Sequence, residues 1–301
     1  MSLFLLTTGL TEEDNMEENS MTTEQKVISG KLVKKIQIKG KINALTGLHI
    51  GGTNLGLSIG GTDATIVRNP FNNEPYIPGS SLKGKMRSLL ERVDGKLGPK
   101  LDNNVKTGPF HNIIDSDIPK IFGTTPENIK KTYKKDKSGK FREEDYSSQP
   151  VTRLIVYDCP LEKECARKLA VEPNTDMPFT EVKTEVVIDR ITSAATPRQL
   201  ERVPAGAEFE MEMVLNIYSG DDAKAMVEKV LEGLCLVEND YLGGKGTRGS
   251  GKVKFCVEAP LKYKDKDSYE KAEDWKEWKS ETGQTIEVPT QLSKTEYEKE
   301  I

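Results

Sequence analysis

Apolar and polar residues alternate from Lys35 onward. Ile36, Ile38, Ile42 and Ala44 fall on one side, and Lys35, Gln37, Lys39, Lys41 and Asn43 on the other. A period of two predicts a half-buried strand. Ser80 or Ser81 can cap a helix running through Arg92, whose apolar face is Leu82, Met86, Leu89 and Leu90, with Val93 just beyond. Leu154-Ile155-Val156-Tyr157 reads as a buried strand. The clearest strand follows, with Phe209, Met211, Met213, Leu215 and Ile217 alternating with Glu208, Glu210, Glu212, Val214 and Asn216. Ser219-Gly220-Asp221 then caps a helix carrying Met226, Val227, Val230, Leu231, Leu234 and Val237 at helical spacing. Val253, Phe255 and Val257 close the pattern as a last strand. Strand, helix, strand, strand, helix, strand predicts an α+β, ferredoxin-like (RRM-like) fold with an antiparallel sheet.

The intervening segments set the expected domain plan. Residues 1–28 hold six acids and one base, which predicts a disordered acidic tail. Residues 29–263 form one domain with two insertions, at about 94–150 and 160–206. The first is rich in Gly, Pro, Asn, Asp and Lys and contains the charged run Lys130 to Lys137. The second alternates too irregularly for core and predicts a protruding hairpin. Residues 264–301 are charged, with sparse aromatics at Tyr269, Trp275 and Trp278, and predict a short helix and a tail.

The formal net charge of −4 argues against a nucleic-acid partner until it is divided along the chain. The acidic tail and residues 258–301 carry all of the deficit, and Ser29 to Val257 holds thirty-five bases against thirty acids. That surplus permits phosphate binding without requiring it. The four cysteines, Cys159, Cys165, Cys235 and Cys256, form no short-spaced pairs, and the chain opens with no secretory leader, so disulfides are not expected. No stretch is long and apolar enough to span a membrane, and a cytoplasmic protein is expected.

Three glycine-rich segments carry the candidate chemistry. Thr46 to Gly52, continuing through Gly60-Gly61-Thr62-Asp63, follows the first strand and frees backbone amides for close approach to phosphate. A long surface loop is the plain alternative. Pro78 to Arg87 places Lys83, Lys85 and Arg87 near a helix N-terminus, where bases oppose the macrodipole unless an anion is present. The same stretch fits G-x-x-x-x-G-K, but Met86 stands where a nucleotide hydrolase needs Ser or Thr for magnesium, and no parallel sheet is predicted. Tyr241 to Lys252 repeats that pattern at Gly246–Lys252 with a strand following, which excludes a nucleotide P-loop and suits a basic loop wrapping a polyanion.

Thr-Gly-Leu-His-Ile-Gly-Gly, Tyr-Ile-Pro-Gly-Ser-Ser-Leu-Lys-Gly-Lys-Met-Arg, the run from Ile188 to Val203, and Asn-Asp-Tyr-Leu-Gly-Gly-Lys-Gly-Thr-Arg-Gly-Ser-Gly-Lys together resemble the RAMP superfamily of CRISPR proteins. Within it they are most similar to the backbone subunits of type III-A (Csm) effector complexes, over about Ile36 to Phe255. The resemblance implies a ferredoxin-like palm, a lid at about 94–150 and a thumb hairpin within 160–206. It also implies a filament of identical subunits gripping one guide RNA, with other type III effector subunits as partners, and cleavage of the paired target RNA. By motif, the catalytic aspartate corresponds to Asp63, with Glu185 and Glu201 as supporting acids. RNA contacts correspond to His49, Gly51, Gly52, Ser80, Ser81, Lys83, Lys85, Arg87, Arg190, Arg198, Gly244, Lys245, Arg248 and Gly249.

Many relatives carry a zinc-binding His and Cys cluster before a Leu-Phe-Gly triplet. Here Ile121-Phe122-Gly123 keeps the triplet and His111 precedes it, but no cysteine lies between them. His111, Cys159 and Cys165 fall short of the four ligands a structural zinc needs.

RNA cleavage requires the ribose 2′-hydroxyl to be oriented and deprotonated and the developing charge stabilised. An exposed Asp titrates near pH 4, a weak base unaided. Asp63 is therefore expected to hold Mg2+ or another divalent cation transiently. On composition alone, Asp63 reads as a turn residue after Gly-Gly-Thr, and His49 reads equally as a packed histidine. Three functions follow: a guided ribonuclease subunit, an RNA-binding scaffold without activity, and a nucleotide hydrolase.

Overall fold

The computed structural model describes residues 31–52, 64–95, 117–123, 152–171, 175–279 and 287–300. The elements in chain order are strand β1 (Leu32–Ala44), β2 (Tyr76–Ile77), helix α1 (Gly79–Val93), α2 (Asp117–Phe122), β3 (Leu154–Val156), β4 (Cys159–Pro160) and α3 (Lys163–Val171). There follow β5 (Glu181–Ile188), β6 (Ala195–Arg202), β7 (Glu208–Tyr218), α4 (Ala223–Glu238) and β8 (Val253–Val257). The last are β9 (Lys262–Asp265), α5 (Lys266–Glu270), β10 (Lys276–Glu277) and α6 (Lys294–Glu300).

β1 organises the main antiparallel sheet. One edge pairs with β7 along almost its whole length, with Ile38 opposite Met213 and Ile42 opposite Phe209. The other edge is shared: Gly40–Ala44 pair with β8, and Lys34–Gln37 with β9. β3 extends the sheet beyond β7 and β10 beyond β9, so the path runs β10, β9, β1, β7, β3, with β8 beside β1. Ile36, Ile38, Ile42 and Ala44 are fully buried, as the period of two requires. Each large apolar side chain so buried contributes roughly 1.5–3 kcal/mol.

Helices α1 and α4 supply the opposing layer through Leu82, Met86 and Leu90 on one and Val227, Val230, Leu234 and Val237 on the other. Gly233 lets them approach, since a Cβ there would lie 3.2 Å from the Leu90 and Met86 side chains. The helix starts differ from the sequence expectation. Asp222, not Asp221, caps α4 by accepting from the Ala225 amide at 3.0 Å. Asp221 instead accepts from the Tyr218 amide and pairs with Arg153 at 3.2 Å. Helix α1 begins at Gly79 behind Pro78, and the Gly79 amide donates to Asp158 Oδ1 at 2.8 Å. Neither Ser80 nor Ser81 caps it, because a carboxylate from the chain beyond β3 already occupies the N-terminus.

Three other differences concern the edges of the expected plan. Within residues 94–150, α2 buries Ile118, Ile121 and Phe122 in the main core. The boundary expected at residue 263 falls inside β9, and the C-terminal segment joins the sheet and buries Trp278, Leu292 and Tyr297. β9 and β10 are too short for an amphipathic period to register, so their pairing is set by tertiary contact. Between 160 and 206, α3 precedes a separate two-stranded hairpin of β5 and β6, paired from Glu181–Arg202 to Ile188–Ala195. The expected disordered tail 1–28, the run Lys130–Lys137, His111 and Asp63 lie outside the described residues.

Candidate nucleic-acid interface

β1 runs out at Ala44 into the first glycine segment, and β8 begins beside that point at Val253. The third glycine segment leads into β8, so antiparallel pairing alone brings the two loops to one end of the sheet. Hydrogen bonds then knit them together. Leu45 donates to Lys252 O at 2.9 Å, Gly251 to Gly47 O at 3.0 Å, and Gly244 to His49 O at 2.7 Å. Gly243 adopts φ +79° and passes so close to the first loop that a Cβ would lie 2.3 Å from His49 O.

The root of the β5–β6 hairpin completes the cluster. Leu48 and Val203 exchange both backbone hydrogen bonds at 2.8 Å, and His49 Nδ1 lies 2.7 Å from Glu201 O. A carbonyl partner requires Nδ1–H, which leaves Nε2 unprotonated in the neutral ring. His49 is 7% exposed, so the packed, hydrogen-bonded alternative describes its place in this structure. Gly51 bridges Ile66, and Gly52 donates to Thr65 O at 3.1 Å, closing the two ends of the segment that contains Asp63. Ala64, the residue after Asp63, bridges Leu200 and accepts from the Glu201 amide at 3.1 Å.

The second segment reaches this end of the molecule through one side chain. Lys85 Nζ lies 2.8 Å from Asp240 Oδ2 and 3.6 Å from the ring centroid of Tyr241. On the same ring rests Gly246, where a Cβ would come within 2.0 Å of Tyr241 Cγ. Lys83 instead donates to Leu154 O at 2.6 Å, and burial, reinforced by nearby Arg87, holds its ammonium below the usual lysine range. Arg87 bonds Glu91 at 2.7 Å and Gly123 O at 2.9 Å. The bases of α1 are therefore engaged with the protein itself, and Asp158 is the anion at its N-terminus. The outer surface there consists of exposed Ser80 and Gly84 with Ser81 half-buried, and open space lies over Gly84. G-x-x-x-x-G-K at Gly79–Lys85 lies wholly within helix α1, so it builds no phosphate loop and the nucleotide-hydrolase reading is set aside.

Lys245, Arg248, Gly249 and Lys252 of the third loop are exposed, as are Arg190 and Arg198 on the hairpin. Arg248 pairs with Glu185 at 3.1 Å, and Lys183 donates to Arg248 O at 3.4 Å. Partial burial alone would raise the Glu185 pKa, but the bond from Arg248 and the charge of Lys183 outweigh it and hold the carboxyl below its usual range. Glu201 is different in kind. It is 3% exposed, and its carboxylate takes Arg68 at 2.5 Å, Thr180 Oγ1 at 2.9 Å and the Ile66 amide at 3.1 Å. No role at this site is expected from the sequence for Arg68, Thr180 or Asp158, and Asp240 and Tyr241 enter only as part of the third motif. Arg68 alone leaves a trace, as a lone base ending the short apolar run before a Pro-bounded turn.

Among the described residues no group of three or more His, Cys, Asp or Glu side chains is placed to hold a metal ion. Burial pushes the Cys159 thiol up to about 12, and Cys165 Sγ accepts from the Glu208 amide at 3.3 Å. Neither is set up as a thiolate ligand. Also among the described residues, no helix is long and apolar enough to cross a membrane. The arrangement offers exposed cations at one end of the sheet, which suits sequence-independent contact with a sugar-phosphate chain.

Comparison with known proteins gives this arrangement a context. Residues 41–254 match the model of the RAMP superfamily. The chain is 40% identical over 264 residues to the CRISPR system Cms endoribonuclease Csm3 of Methanocaldococcus jannaschii, covering 86% of this chain and 94% of that protein. It is 35% identical over 229 residues to the protein of the same name from Enterococcus italicus, covering 76% and 92%. The crystal structure of Methanopyrus kandleri Csm3 superposes with a TM-score of 0.51 at 20% identity, covering 80% of each chain, a likeness of fold.

Proposed function

Because the chain belongs to the RAMP superfamily, we infer that it is the endoribonuclease subunit of a type III CRISPR ribonucleoprotein, binding guide RNA and cutting the complementary target RNA. The main sheet with α1 and α4 is its ferredoxin-like palm, the β5–β6 hairpin its thumb, and the insertion at 94–150 its lid. Further copies of the chain and other type III effector subunits are its partners. The observation that supports this reading best is the convergence of both glycine loops and the hairpin root on His49. It gathers exposed Lys245, Arg248 and Lys252 at one end of the sheet.

Such a surface addresses phosphates and carries no base code, so base pairing with the guide supplies the sequence specificity. Asp63 is the catalytic residue of this reading. It would hold a divalent cation such as Mg2+, which supplies assistance to deprotonation of the 2′-hydroxyl. The protein orients the strand against the loops and the hairpin root so that the hydroxyl faces the scissile phosphate.

An Asp63→Ala subunit assembled with guide RNA is expected to retain guide and target yet lose cleavage on a denaturing gel. Wild-type cutting by that variant would remove Asp63 from the chemistry and favour a scaffold without activity.

A further inference from the structure

Glu201 matches an acid near the cleavage site by motif, yet it is unsuited to touch RNA. Both carboxylate oxygens are occupied within the protein, and its surface is almost wholly covered. Its contacts are better read by what they join. Through its carboxylate it holds the Ile66 amide, through its own amide the Ala64 carbonyl, and through its carbonyl the ring of His49. Three bonds from one residue thus secure both the first glycine loop and the residues directly after Asp63.

Arg68 gathers the remaining pieces. Its guanidinium donates to Glu201, to Thr180 Oγ1 at 2.8 Å, to Pro178 O at 3.2 Å and to Asn73 O at 2.8 Å. Fully buried Thr180 accepts from Arg68 and donates its own hydroxyl hydrogen bond to Glu201. The planar fork of Arg matches this set of acceptors, and a Lys ammonium, a point charge on a flexible stem, would not. Along the chain, the cluster ties residues 64–68, the turn at 69–75, the approach to β5 and the end of β6 at one buried point.

We propose that Arg68, Thr180 and Glu201 are positioning residues for target-RNA cleavage: they lock the segment that follows Asp63 to the root of the hairpin. This rests on Asp63 being the catalytic residue, as inferred above. A displacement of about 1 Å at a reacting group costs on the order of 100-fold in rate, so loosening this lock affects turnover before it affects binding. The exposed hairpin residues and third-loop cations, which grip RNA, are left in place by changes at the lock.

The experiment uses complexes assembled with guide RNA from wild-type, Glu201→Gln, Thr180→Val, Thr180→Ser and Asp63→Ala subunits. Melting temperature, retained guide, target dissociation constant and single-turnover cleavage rate are measured for each. Thr180→Val is expected to bind guide and target normally while cleaving about 10- to 100-fold more slowly. Thr180→Ser, which keeps the hydroxyl, restores the rate. Glu201→Gln is expected to match Thr180→Val or exceed it.

If Asp63→Ala is inactive and Thr180→Val and Glu201→Gln cleave at the wild-type rate, the positioning role is overturned and the catalytic reading stands. If Asp63→Ala cleaves normally, the catalytic reading itself fails. Parallel losses of melting temperature, guide retention and cleavage in Thr180→Val, without rescue by Thr180→Ser, would make the cluster a structural support alone and overturn the proposal.

Discussion

At Gly243 the third loop crosses the first with no room for a side chain. A left-handed backbone alone costs a non-glycine residue roughly 1–2 kcal/mol, and the collision with His49 O adds to it. Gly243→Ala is therefore expected to lower the denaturant midpoint and to weaken guide retention, because the loop must lift away from His49. Equal guide retention at a lowered midpoint would separate loop position from RNA grip. Gly246 makes the same demand on a different neighbour, the ring of Tyr241, which Lys85 approaches at 3.6 Å. The glycine density that marked both loops as candidates is visible in sequence, but its cause, contact between loops about two hundred residues apart, is not. The same holds for the bases of α1. Their spacing suggests an anion site, but Lys85 and Arg87 pair with Asp240 and Glu91, and the helix N-terminus itself is met by Asp158 from beyond β3.

Helix α4 and strands β1, β7 and β8 could be read from sequence, because each buries one face of regular period against the same core. Their ends could not, since caps depend on which of several adjacent Asp and Ser residues tertiary contacts leave free. The hairpin of β5 and β6 is legible only as irregular chain: Val186, Val187 and Ile188 are exposed together, and it rests on its root rather than on a core of its own. Its outer tie to the third loop is the Glu185–Arg248 pair. Since the Glu185 pKa is held below its unfolded value of 4.5, that tie contributes stability above pH 4.5 and loses it as pH falls through the lowered value. Protection of the Lys183–Glu185 amides, measured as exchange relative to the intrinsic rate at each pH, should fall as pH drops below about 4.5 in wild type, and Glu185→Gln should remove that step. A step that persists in Glu185→Gln would assign it to another group.

Over the whole molecule, the match to the RAMP superfamily ends at residue 254, yet the fold continues past it. β9 and β10 widen the sheet, and a 3-10 turn at Thr290–Leu292 closes against β8 and α4. There Glu238 accepts from the Phe255 amide at 2.7 Å and from Gln291 at 2.6 Å, so the edge of β8 is covered and not left open to another strand. Leu292 is fully buried in this closure. Leu292→Ala is expected to destabilise the subunit by about 2–5 kcal/mol, read from urea unfolding, with cleavage by the folded fraction unchanged. A loss of cleavage without a loss of stability would instead tie this C-terminal segment to the RNA path.

The face of the sheet turned away from α1 and α4 carries Lys39 and Lys41 of β1, but Glu212 and Glu208 of β7 stand within 3.9 and 2.9 Å of them. Exposed pairs of this kind add little to stability. On the function proposed above, pairing these two lysines would favour docking of a polyanion at the looped end over the flat of the strands. Replacing both glutamates with glutamine would open a second, idle track for RNA, visible as unguided binding at low ionic strength that fades steeply with added salt.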